Sequence, residues 1–280
     1  MTLDAHQHFW NYDPVRDAWI DESMQAIRRD FLPPDLQPLL ADNGIDGCIA
    51  IQADQSLAET DFLLQLARQH SFIRGVVGWV DLCDPGVKEQ LERYDDADLL
   101  VGMRHVVQAE PPGFMDRPDF RRGISALREF GLTYDILIYH HQLAESIRLV
   151  AAYPDQPFVL DHLAKPVIAG QPDREWRNQI ESLAGHEQVY CKLSGMVTEV
   201  HDRNWTPQLL QPYIEVVLEA FGPERVMYGS DWPVCLVAAE YSAQLRALEF
   251  ACAALSESEK HAIFGKNAAG FYGIGNPSLD

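Results

Sequence analysis

Two imidazoles one residue apart, His6 and His8, and a distant carboxylate, Asp231, are the side chains whose types and spacing can do chemistry. Side chains alternate along a strand, so His6 and His8 project from one face and can share a metal ion. Asp231 lies in the run Tyr228-Gly229-Ser230-Asp231-Trp232-Pro233, which closes the last strand, and can add an oxygen ligand, or act as a base that takes a proton from water. It can do so only if the first and last strands become neighbours. Arg104 is a permanent cation with a planar fork suited to a carboxylate or a developing oxyanion, and its alternative is a structural ion pair. His162 can polarise a carbonyl or bind a hydroxyl, and its alternative is a satisfied scaffold histidine. Arg104 and His105 are adjacent, so from a regular strand only one of them faces the cavity, and which one stays open.

The elements that must position these groups are eight short apolar or β-branched runs: 3–8, 46–52, 74–80, 101–105, 133–138, 157–162, 189–194 and 225–231. Amphipathic helical stretches separate them. Ser56-Leu57-Ala58-Glu59 and Ser256-Glu257-Ser258-Glu259 read as capping boxes, and Thr206-Pro207 as an N-cap followed by proline. Gly222-Pro223 stops the helix that Thr206 opens. A strand every thirty-odd residues is the spacing of a βα unit, and polar residues gather at the carboxyl end of nearly every strand. An α/β fold, the (β/α)8 TIM barrel, is therefore expected, because an open sheet would concentrate such residues at one switch point. Residues 1–280 read as a single domain. Within it the aromatic and proline-bearing stretch 9–36 is expected to be a lid over the barrel mouth.

With 280 residues, 47% of them hydrophobic, the chain can bury a large core. Acidic residues number 42 against 22 basic, and the net charge of -20 excludes nucleic acid and anionic membrane as expected partners. Five cysteines form no C-x-x-C pair and read as reduced core residues. No signal peptide or membrane span is visible, so the expected location is cytoplasmic.

Six motifs in order, Asp4-Ala5-His6-Gln7-His8-Phe9-Trp10, Gly102-Met103-Arg104-His105, Leu160-Asp161-His162-Leu163-Ala164-Lys165-Pro166, Cys191-Lys192-Leu193-Ser194-Gly195 with Thr198-Glu199, the Gly-Ser-Asp-Trp-Pro run, and Asn267-Ala268-Ala269-Gly270-Phe271-Tyr272-Gly273, resemble the amidohydrolase superfamily. More narrowly, the chain resembles its sugar lactonase branch, of the L-fuconolactonase and L-rhamnonolactonase type. The resemblance implies a hydrolase that opens an aldonolactone by adding water to the ester carbonyl. Asp231 would relay protons, Arg104 and His162 would stabilise the oxyanion, and the partner would be a small sugar lactone, with a homo-oligomer left open. In metal-dependent relatives a lysine or glutamate at strand four, or a histidine ending strand five, completes the metal site. Here Arg104-His105 ends strand four, and strand five reads Tyr134-Asp135-Ile136-Leu137-Ile138, with His140 and His141 only in the following loop. The resemblance then implies one weakly held divalent ion on His6, His8 and Asp231, zinc being the expected metal, or a metal-independent reaction.

For a sugar substrate, Gln52, Trp79 and Asp81 at the ends of strands two and three can hydrogen-bond or stack, as can Trp10 and Trp232 beside the key motifs. Lys165 can meet the substrate or only a carboxylate neighbour. Lys192 interrupts an apolar strand, and either neutralises an acid of the site or snorkels through the helix layer. A serine nucleophile is a poor fit, because no G-x-S-x-G elbow exists. Two other readings compete. A zinc-dependent decarboxylase of the same superfamily is opposed by the missing strand-five histidine, and a non-catalytic sugar-acid binding protein by the intact base and histidines.

Overall fold

A computed structural model describes residues 1–275. Eight parallel strands are hydrogen-bonded in chain order: β1 (Leu3–Gln7), β2 (Gly47–Ile51), β3 (Ile73–Gly78), β4 (Leu100–His105), β5 (Thr133–Ile136), β6 (Phe158–Leu160), β7 (Val189–Leu193) and β8 (Val226–Tyr228). A helix follows each strand: α1 (Pro33–Asp42), α2 (Leu57–Gln69), α3 (Val87–Glu92), α4 (Pro118–Leu127), α5 (Leu143–Ala152), α6 (Arg174–Ala184), α7 (Pro207–Phe221) and α8 (Tyr241–Ala251). Just past the strand ends β8 returns to β1 through a parallel bridge between Gln7 and Trp232, so the sheet curls into the expected TIM barrel.

All the strands except β4 are shorter than their apolar runs suggest. His8, Gln52, Asp161, Ser194 and Asp231 fall beyond the last ladder residue, where the chain turns toward the helices. The interior of the barrel is packed by Leu3, Ala5, Ile49, Ile51, Val77, Val159 and Met227, and Ala268 and Tyr272 join the same cluster. A larger apolar layer lies between barrel and helices.

One irregularity decides where the first histidine points. Asp4 pairs with Cys48 and Gln7 with Ala50, so Ala5 and His6 together oppose the single residue Ile49, a β-bulge. Ala5 packs in the interior cluster, and His6 contacts Lys192 and Asp161 there. Asp4 faces the other way, accepting a hydrogen bond from Tyr241 of α8 at 3.1 Å. Strict alternation would have put Asp4 and His6 on one face.

The caps match their sequence signals with one exception. Thr206 accepts from Leu209 N and Ser256 forms a reciprocal box with Glu259. Ser56 accepts from Glu59 N at 3.1 Å, but the Glu59 carboxylate turns away to Ala53 N at 3.0 Å and so holds the loop that carries Asp54 and Gln55. Burial pushes the Glu59 carboxyl up to about 7, helped by Asp54 and opposed by that backbone bond. Four of the cysteines are buried, Cys83 is half-buried, and all five are free thiols. No described helix is long and apolar enough to cross a membrane.

Because the folded carboxyl of Glu59 holds its proton above the unfolded value, the stability it contributes is full at low pH and is lost as pH rises toward about 7. Glu59→Gln keeps the acceptor for Ala53 N–H and has no charge to bury. Its melting temperature relative to the native chain should rise between pH 5 and pH 8, and a flat difference in scanning calorimetry across that range would refute this reading of Glu59.

Candidate active site

The carboxyl-terminal mouth of the barrel opens into a cavity of roughly 340 Å³, large enough for a small ligand. His8, Arg104, His162, Lys165 and Asp231 line it, as do Trp10, Arg16, Asp17 and Trp19 from the 9–36 stretch. Two backbone bonds across the barrel seam bring the first and last motifs together: Asp231 N to His6 O at 2.8 Å and His8 N to Trp232 O at 2.7 Å. The Asp4 carboxylate reinforces them by accepting from Ser230 N at 2.8 Å and His6 N at 3.2 Å.

Asp231 Oδ1 then lies 3.4 Å from His8 Nε2, 3.7 Å from His6 Nε2 and 3.9 Å from His162 Nε2. Burial alone would raise the Asp231 carboxyl, but His162, His8 and His6 around it hold it well below the usual carboxylate range. Burial lowers all three imidazoles, His162 to about 4, so at neutral pH the cluster is one carboxylate ringed by neutral rings.

These donor atoms suit a divalent cation. His8 Nδ1 is 2.8 Å from the carbonyl of Ile51, which can only accept, so Nδ1 carries the proton and the Nε2 lone pair faces Asp231. His6 Nε2 and His8 Nε2 are 3.2 Å apart, and with Asp231 Oδ1 they make a triangle with edges of 3.2, 3.4 and 3.7 Å. Ligands about 2.0–2.2 Å from a shared tetrahedral ion stand about 3.3–3.6 Å apart, so the three atoms fit one. His6 Nδ1 lies between the Asp161 carboxylate at 3.3 Å and the Lys192 ammonium at 3.4 Å. A ring proton on the Asp161 side frees Nε2 for the cation. Arg104 Nη1, 3.2 Å from the same Nε2, competes for that lone pair.

Beneath the cluster lies a charge-balanced layer. Lys192 sits 2.5 Å from Asp135 and 3.0 Å from Asp161, and Arg104 sits 3.0 Å from Asp161, with all four side chains essentially sealed from solvent. Tyr272 donates to Asp135 at 2.9 Å. Burial raises the Asp135 carboxyl to about 6 against the pull of Lys192, whereas Lys192, His6 and Arg104 outweigh burial at Asp161 and hold it well below the usual range. Lys192 therefore points into the barrel and neutralises acids there, outside the cavity lining.

Arg104 faces inward and His105 outward, where His105 stacks on Phe114 and bonds Glu110 at 2.8 Å. The Arg104 fork is largely occupied, with Nη1 on Asp161 and His6, Nη2 on Gln52 O and Oε1, and Nε–H buried without a partner. Gln52 therefore holds Arg104 from below. Four expected sugar contacts stand away from the cavity, Gln52 among them. Trp79 directs its indole N–H to His105 at 3.4 Å, Asp81 accepts from Cys83 N at 2.9 Å, and Trp232 is buried edge-on against Phe9 and Phe31. Trp10 lines the cavity and packs on Trp19, and Lys165 lines it 4.0 Å from Glu199.

Asp161, Asp135 and Ser194, which bonds His162 Nδ1 at 2.8 Å, escaped the sequence reading. The signal for the two aspartates was there: each is an acid within or directly after an apolar strand, the same anomaly that marked Lys192. Ser194 gave none.

The sequence profile described as amidohydrolase matches residues 3–274. An L-fucono-1,5-lactonase of Burkholderia multivorans is 37% identical over 99% of this chain and 98% of its own length. A second, from Burkholderia ambifaria, is 35% identical over 100% of this chain and 98% of its own. The crystal structure of an amidohydrolase from Burkholderia multivorans with bound zinc superimposes with a TM-score of 0.94 at 36% identity, covering 98% of this chain and 100% of that one.

Gly195 gives the geometry a direct test. It has φ +64, and a Cβ there would stand 2.5 Å from His162 Nδ1. Gly195→Ala should push the His162 ring by about 1 Å, because carbon and nitrogen atoms do not approach that closely. A crystal structure of the variant with His162 in place would contradict this packing.

Proposed function

The chain belongs to the amidohydrolase family, and we propose that it hydrolyses a sugar-derived lactone by adding water to the ester carbonyl. The observation that carries the reading is the Asp231 carboxylate ringed by His6, His8 and His162 at the floor of a cavity of small-ligand size. Similarity over the full length to L-fucono-1,5-lactonases supports an aldonolactone as the substrate.

Asp231 is ionised at neutral pH and accepts a hydrogen bond from the attacking water, takes its proton as the C–O bond forms, and returns it to the leaving ring alkoxide. His162 is neutral and donates from Nε2 to the carbonyl oxygen when the Ser194 hydroxyl donates to its Nδ1. Arg104 supplies fixed positive charge beneath the oxyanion, since most of its N–H groups are already engaged. Residues 9–36 are the lid: Trp10 and Trp19 offer faces for the sugar ring, and Arg16 and Asp17 flank them. Zinc is the metal we propose for His6, His8 and Asp231, where it would polarise the carbonyl and lower the pKa of a bound water.

Ring opening produces a carboxylic acid and so releases a proton. A pH-indicator screen of five- and six-membered aldonolactones should show acidification catalysed by the protein, and no acidification with any of them would count against the proposal. Asp231→Asn should lower kcat by about a thousandfold or more while the melting curve stays cooperative. Isothermal titration should find one zinc site per chain, weakened about tenfold or more in His8→Ala and unaltered in His105→Ala.

A further inference from the structure

Among the described residues only six non-glycine residues have positive φ, and four of them are consecutive: His162, Leu163, Ala164 and Lys165. A fifth is Asp231. The four make one turn of left-handed backbone, with φ between 48° and 59°, a conformation that crowds Cβ against the following carbonyl in L-residues. No glycine relieves it, and Leu163 and Ala164 are fully buried. Strain of this kind persists only where the surroundings impose it, and it gathers at working sites.

The turn delivers two residues to one place. His162 and Lys165 both line the cavity, and Lys165 N closes the turn on His162 O at 2.7 Å. Its restraints come from outside the cavity. The indole N–H of Trp176, in α6, donates to Leu163 O at 3.0 Å, and His140 Nδ1 lies 3.1 Å from Lys165 O. Trp176 is itself fixed, capped through its backbone by Asp173 and packed against Tyr213 of α7, whose hydroxyl donates to Val167 O at 2.9 Å.

We propose that Trp176 is a positioning residue: its indole N–H latches the left-handed turn 162–165 and so holds His162 at its distance from Asp231. The kinetic part of this inference rests on the hydrolytic reading above; the conformational part does not. Trp176→Phe keeps an aromatic ring against Tyr213 and removes the latch together with part of the indole's volume. Amide exchange at Lys165, whose N–H closes the turn, should quicken about tenfold. With an aldonolactone substrate kcat should fall about tenfold while KM stays within about twofold, the pattern of a misaimed group rather than a lost binding contact.

Ala164→Gly tests the strain, because glycine adopts positive φ without the Cβ clash. Its melting temperature should stay within about 2 °C of the native chain, since the relief offsets the lost methyl. Ala247→Gly, a buried control within α8 that loses helix propensity and a buried methyl with no strain relieved, should lose about 3 °C. Unchanged Lys165 exchange in Trp176→Phe, or an Ala164→Gly loss as large as that of the control, overturns the proposal. Exchange and melting use no substrate. If they come out as expected while no lactone is turned over by the native chain, the latch stands and the hydrolytic reading alone falls.

Discussion

Everything at the mouth of this barrel depends on the seam between its first and last strands. The two meet through a single bridge and two short backbone hydrogen bonds, and those bonds belong to His6, His8, Asp231 and Trp232 themselves. The atoms that close the fold are thus one peptide away from the atoms proposed to do the chemistry. Asp4 strengthens the seam from behind, with burial lifting its carboxyl to about 6 while donors from Ser230, His6 and Tyr241 pull it back. A backbone hydrogen bond contributes only about 1 kcal/mol, so the seam's importance is geometric: it sets the spacings of 3.2, 3.4 and 3.7 Å among three ligating atoms.

The second constraint is electrical. Asp135 and Asp161 face Lys192 and Arg104 in a layer sealed from solvent, two charges of each sign. Such a layer adds little net stability compared with well-packed apolar residues, yet removing one member typically costs about 3–5 kcal/mol because a partner is left buried and unpaired. It holds Arg104 rigid under the cavity and presents an acceptor and a donor together to His6 Nδ1. The rigidity of the floor is therefore obtained from charge balance, whereas the cavity lining that comes from residues 9–36 is left to aromatic packing such as Trp10 on Trp19 and Phe31.

Much of this was legible in the sequence. All eight strands follow from apolar runs, and the convergence of His6, His8 and Asp231 follows from strand parity plus closure. What stayed hidden has identifiable causes. The bulge at Ala5 and His6 leaves no compositional trace, so parity alone could not separate Asp4 from His6. The turn at 162–165 lacks the glycine or asparagine that usually marks positive φ. Trp79 and Asp81 follow the last residue of β3, where the chain has left the ladder and strand alternation no longer says where a side chain points. Lys192 was open between two directions until its partners, Asp135 and Asp161, could be seen on neighbouring strands.

Tyr272 carries a consequence for how the protein is made. Its hydroxyl donates to Asp135 from a position after the last described helix, Asn267–Phe271, while β1 needs residues around 230 to cover its open side. Translation supplies both of these pieces long after β1. A ribosome-bound chain therefore keeps its first strand as a bare edge until residues near 230 emerge, and its central ion layer short of a donor until Tyr272 does, an exposure during which a chaperone or a neighbouring nascent chain can reach it first.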